Sequence, residues 1–186
     1  MSETSPGAVI TDRDAATNGI TLRYATWGTF SSPARTVLLV HGITFNSRSF
    51  ATVGPALATL GWYVVAPDLR GRGFSAKPPH GYGIPYHVND LLALGDALGL
   101  PTLNLVGHSL GARIALMLAA VHPARVSKLV LVDGGGKPPA DALETVAAPI
   151  KRIGQVYPSL DAFLEERRQT PVHQLTELGC AGKVTG

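Results

Sequence analysis

Apolar residues along the chain follow two different spacings. Residues 36–40 (TVLLV), 62–66 (WYVVA), 103–106 (LNLV) and 128–132 (KLVLV) are short, nearly unbroken apolar runs. Each ends in a turn signal: His41-Gly42, Pro67-Asp68, Gly107, and Asp133 followed by three glycines. Short Val/Leu runs of this kind predict strands covered on both faces, as in parallel sheets. Residues 20–27 differ, with Ile20, Leu22 and Tyr24 alternating against Thr21 and Arg23. That alternation predicts a half-exposed strand, and Asn18-Gly19 predicts a hairpin turn back to residues 8–11.

Helical spacing fills the intervals. Residues 47–60 carry Phe50, Val53, Leu57 and Leu60, and residues 86–98 carry Val88, Leu91, Leu92, Gly95 and Leu98 before Gly99. Gly99 is placed to accept the left-handed conformation that ends a helix. Residues 110–121 are apolar nearly all round, which predicts a helix packed deep in the molecule. His122-Pro123 ends it, because a residue before proline is pushed out of the helical region. Alternating strands and helices predict an α/β fold with a mostly parallel, doubly wound sheet.

The pattern changes after Gly136. Lys137-Pro138-Pro139 interrupts the chain, residues 141–153 and 159–168 have amphipathic helical spacing, and residues 179–186 are small, polar and aperiodic. The expected division is therefore a core over 1–136 and a helical segment with a frayed tail over 137–186. No strand-like run follows residue 136.

Composition narrows the function classes. With 45% hydrophobic and 16% charged residues the chain is globular rather than disordered. Its net charge of +3 is scattered, with Arg70/Arg72 and Arg167/Arg168 the densest basic clusters, so no nucleic-acid partner is expected. Cys180 is the one cysteine, which excludes an intrachain disulfide. The cysteine and scattered histidines have no metal-ligand spacing, so no metal is expected. Residues 1–7 lack the apolar core of a secretory signal, and the longest apolar stretch, residues 114–121, is too short to span a bilayer. The expectation is a cytoplasmic protein with no membrane partner.

The chemistry concentrates at Gly107-His108-Ser109-Leu110-Gly111, between an apolar strand and an apolar helix. A strand-to-helix turn this tight holds its central serine in a strained conformation and lifts the hydroxyl clear. Residues two before and two after must be small, which accounts for Gly107 and Gly111. The helix N-terminus then presents NH groups to a developing oxyanion. His41-Gly42-Ile43-Thr44 ends an earlier strand, and the Ile43 NH is a candidate second oxyanion donor beside that of Leu110. His41 itself is expected to orient its loop rather than act as a base. Asp68 and the arginines of the 68–75 segment are expected to pair locally and brace the loops.

Together, residues 37–42 (VLLVHG), 68–75 (DLRGRGFS), 106–111 (VGHSLG) and 129–133 (LVLVD) resemble the α/β-hydrolase superfamily, in its order and spacing. The resemblance covers about residues 20–136 and points to the serine esterase and lipase branch. Dehalogenase and epoxide-hydrolase branches place an aspartate at the elbow. It implies Ser109 as nucleophile, Ile43 and Leu110 as oxyanion-hole donors, a small-molecule ester or related acyl substrate, and no cofactor. A non-catalytic binding protein, or a lyase or cofactor-free peroxidase on the same elbow, are the alternatives.

The family's triad runs Ser, Asp or Glu, then His. Asp133, after the strand at 128–132, is the candidate acid. After Ser109 the histidines are His122, at a helix end, and His173, which follows no strand; His173 is the candidate base. Against the family pattern the chain resembles a C-terminally truncated hydrolase, the core to the sixth strand plus the start of a helical cap, with the last strands missing. An exposed parallel edge would then favour oligomerisation.

Overall fold

A computed structural model describes residues 9–134 and 157–168. They fall into two units, one holding residues 9–134 and one holding residues 157–168, each described by itself. The first contains six strands, β1 (Thr11–Thr17), β2 (Ile20–Trp27), β3 (Thr36–Val40), β4 (Tyr63–Pro67), β5 (Leu103–His108) and β6 (Val126–Val132). Its helices are α1 (Val53–Thr59), α2 (Ile84–Ala97) and α3 (Leu110–Val121). The second unit holds α4 (Leu160–Arg168), inside the helix expected at 159–168.

The strands form one sheet in the order β1-β2-β4-β3-β5-β6. β1, β2 and β4 pair antiparallel, and β4, β3, β5 and β6 run parallel. This is the mostly parallel sheet the apolar runs predict. All five residues of β3 are buried. Leu38 and Val40 join Val65, Leu105, Leu91, Leu94, Ile114 and Leu118 in one core, on the side of α2 and α3. Val37 and Leu39 join Val64, Ala66 and Trp27 in a second, packed against Leu57 and Ala58 of α1. Strand alternation thus divides β3 between two helical layers, the meaning of doubly wound here.

Three expectations are corrected. The hairpin turn lies at Asn18-Gly19, but its first strand is Thr11–Thr17 rather than residues 8–11. β1 is an outer strand, so its Asp12, Arg13 and Asp14 face solvent and leave no apolar pattern. Residues 47–60 are not one helix: a short 3-10 turn at Ser47–Phe50 precedes α1 at Val53–Thr59. Pro55 lacks an NH and is tolerated only in a first helical turn, so the helix restarts there. α3 has the expected bounds but is not sunk in the core, because Leu116, Met117 and Val121 are exposed on its outer side.

β6 is the outermost parallel strand among the described residues, with Val130, Leu131 and Val132 exposed. The helix expected at 141–153, the boundary at 136/137, the tail at 179–186 and His173 lie outside the described residues.

Arg70 and Asp90 form a buried ion pair, 4% and 1% exposed, with Arg70 Nε donating to Asp90 Oδ2 at 2.6 Å. Asp90 also accepts from Asn18 Nδ2 at 3.0 Å, so one carboxylate ties α2, the β4 exit and the hairpin turn. The hydrogen bonds Arg70 donates to Asp90 hold the Arg70 pKa above its ordinary value. Removing one partner leaves an uncompensated buried charge. Asp90→Ala is therefore expected to lower stability by about 3–5 kcal/mol in urea denaturation, and a loss under about 1 kcal/mol would contradict this role.

Candidate active site

Ser109 links β5 to α3 at φ 52°, ψ −111°, a conformation rarely adopted by a residue with a side chain. Three contacts hold it there. Its NH donates to the Val132 carbonyl at 2.9 Å, and its own carbonyl accepts from the NH groups of Ala112 at 3.1 Å and Arg113 at 3.3 Å. The elbow therefore closes on both the adjacent strand and the following helix, and the strain is held by the surrounding structure.

The flanking glycines are dictated by backbone approach. A Cβ on Gly107 would lie 2.4 Å from the Gly111 carbonyl oxygen, and one on Gly111 would lie 2.0 Å from that of Val40. Gly111 also abuts the His41 carbonyl. The start of α3 is thus pressed directly against the end of β3, bringing the elbow beside the 41–45 turn. α3 opens at Leu110, whose NH belongs to the first helical turn and so has no intrahelical acceptor.

His41 is fully buried and both ring nitrogens are engaged. Nδ1 donates to the Gly42 carbonyl at 2.7 Å, and Nε2 accepts from the Leu69 NH at 2.9 Å. That pair of contacts defines a neutral tautomer. Burial drives its pKa down to about 4, against the opposing pull of the Gly42 hydrogen bond. Neither nitrogen is available to a serine hydroxyl, so His41 acts on its loop.

The 68–75 segment braces that loop, though through backbone atoms and distant partners rather than by charges pairing locally. Asp68, 1% exposed, accepts from the NH groups of Ser47 at 2.7 Å and Phe74 at 2.8 Å. Arg72 Nε donates to the Ile43 carbonyl at 2.6 Å. Arg70 reaches Asp90 instead, in α2.

His108 sits between the 41–45 turn and Asp133. Its ring lies 5.7 Å from that of Phe45, and its Nε2 is 3.8 Å from Asp133 Oδ2. Asp133 follows β6 at φ 49°, with its side chain 84% exposed. Sequence reasoning assigned His108 only to the elbow; its approach to Asp133 depends on β6 lying beside β5, which no local signal reports. Tyr63 stands at the start of β4, the sheet end opposite Ser109, in edge-on contact with Phe30.

His41, Asp68, Ser109 and Asp133 therefore all follow the carboxyl ends of parallel strands, where open α/β sheets place their sites. A family model for the alpha/beta hydrolase fold matches residues 35–177, which takes in every one of these positions. The chain belongs to the alpha/beta hydrolase fold family. It is 36% identical over 150 residues to a serine hydrolase-like protein of Danio rerio, covering 80% of this chain and 45% of that one. It is 35% identical over 129 residues to the 3-hydroxybutyrate-oligomer hydrolase of Cupriavidus necator, covering 68% and 43%. Among solved structures, the epoxide hydrolase of Vigna radiata aligns with a TM-score of 0.65 at 31% identity, over 74% of this chain and 46% of that one. The chain spans less than half the length of these alpha/beta hydrolase relatives. Among the described residues no helix is long and apolar enough to cross a membrane.

The depressed His41 pKa carries a stability consequence. Unfolded, an imidazole takes up its proton near pH 6.5; folded, His41 does so only near pH 4. Between these values the unfolded chain binds more protons. Stability is therefore expected to fall as pH drops from about 6.5 to about 4, by on the order of 3 kcal/mol. His87, whose pKa burial also lowers, acts in the same direction. Urea midpoints at pH 7.5 and pH 4.5 measure the drop, and His41→Gln should narrow it; an equal drop in both proteins would contradict the assignment.

Proposed function

We propose that this chain carries the nucleophile and oxyanion half of a serine hydrolase acting on carboxylic esters or related acyl compounds. The observation that carries the reading is the strained Ser109 at the head of α3, held by three backbone hydrogen bonds. A binding pocket gains nothing from a serine in that conformation, whereas a nucleophile gains exposure and access to helix NH groups. Ser109 Oγ attacks the acyl carbon as its proton passes to the base, and the NH groups of Ile43 and Leu110 receive the oxyanion. The ester C–O bond breaks as the alcohol leaves with that proton, and water later hydrolyses the acyl-enzyme.

A serine at the elbow favours acyl transfer over the chemistry named for the epoxide hydrolase relative. The names of the Danio rerio and Cupriavidus necator relatives point the same way. Asp133, beside the elbow, is the proposed acid, and His173 the proposed base. His41 has no free nitrogen and His173 follows no strand-like run, so turnover by this chain is proposed to be impaired. The exposed β6 residues and the lack of a further neighbour among the described residues support association through that edge.

The test is p-nitrophenyl butyrate turnover by this chain beside Ser109→Ala. The reading expects slow release of p-nitrophenolate by wild type and only buffer background from the variant. Equal rates in the two proteins would overturn it.

A further inference from the structure

Two peptide planes flank Ile43, and a different side chain grips each. The Ile43 NH belongs to the Gly42–Ile43 peptide, whose carbonyl accepts from His41 Nδ1 at 2.7 Å and from the Phe45 NH at 3.2 Å. No described peptide is cis, so the NH points opposite that carbonyl, and fixing one fixes the other. The next carbonyl, that of Ile43, accepts from Arg72 Nε at 2.6 Å. The guanidinium is steadied in turn by Nη1 donating to the Gly71 carbonyl at 3.2 Å. With both planes held, the backbone torsions of Ile43, which set one plane against the other, are restrained from both sides.

The two grips differ in kind. His41 is buried beneath the loop and also receives the Leu69 NH, so it is part of the core. Arg72 is half-buried and reaches over from the neighbouring loop, 29 residues away in sequence. Its planar fork suits a fixed acceptor direction better than a flexible ammonium would. Removing it frees one peptide plane without emptying the core.

We propose that Arg72 is a positioning residue for the reaction at Ser109: by holding the Ile43–Thr44 peptide it backs the His41 grip on the neighbouring plane and so keeps the Ile43 NH in the direction the oxyanion requires. The inference rests on the reading of Ile43 as an oxyanion donor. Arg72 touches no reacting atom and acts through the Ile43 carbonyl. A donor aimed in advance stabilises the transition state more than the bound ester, so loosening it lowers kcat and spares KM.

The experiment uses the full chain with Arg72→Ala and Arg72→Lys. It reads p-nitrophenyl butyrate kinetics and amide hydrogen exchange at Phe45, whose NH closes the turn, and at Ser47, whose NH is held by Asp68. Arg72→Ala is expected to lower kcat roughly tenfold with KM little changed. Exchange at Phe45 should speed up while Ser47 stays as in wild type, and Arg72→Lys should fall between. An unchanged kcat in Arg72→Ala beside an active wild type, or a loss confined to KM, would overturn the positioning role alone. A wild-type chain without Ser109-dependent turnover would overturn the reading beneath it and this role with it.

Discussion

The close approach of α3 to the end of β3 is the constraint on which the rest of the site depends. Gly111 lies against the Val40 and His41 carbonyls, and Gly107 against Gly111, with no room for a methyl group at either glycine. That contact fixes where the helix begins. It sets Ser109 at a positive φ and lets its NH reach Val132 of β6. Three parallel strands thereby converge on the elbow. The sheet supplies the force: with β3 buried throughout and its alternate residues locked into two cores, its end cannot retreat from the helix.

Around that contact lies a layer of buried and half-buried polar groups whose partners are mostly backbone atoms. His41, Asp68 and Arg72 together satisfy backbone groups at Gly42, Ile43, Ser47, Leu69 and Phe74. Loops at a sheet end have no ladder to satisfy their NH and carbonyl groups, so side chains must do it. The result is rigid loops at the place where direction matters for chemistry. Burying His41 without charge makes this arrangement sensitive to acid, because the same imidazole is easily protonated once released.

Legibility in the sequence followed the range of each interaction. The strand at 36–40, the helix at 110–121 and the turn at Asn18-Gly19 are set by neighbours in the chain, and they were readable. So was the elbow, since both glycines and the serine lie within five residues. β1 carries exposed charges, Asp14 paired with Arg23 of β2 among them, and so gives no apolar signal of its bounds. Arg70 pairs with Asp90, and Arg72 reaches Ile43 across 29 residues, so no spacing rule reports either. The outer face of α3 was expected to be buried because apolar composition does not say how many sides a helix will have covered. His173, proposed as base from chain order alone, lies outside the described residues, as does most of the expected cap apart from residues 157–168.

The central claim is that Ser109 is a nucleophile and not only a strained turn. Its most direct measurement is reaction of the folded chain with a fluorophosphonate, followed by peptide mapping of the adduct. The account predicts one adduct, on the peptide containing Ser109, formed slowly by the folded chain and lost when the chain is unfolded in urea beforehand. An adduct on another residue, or labelling that survives prior unfolding, would contradict it.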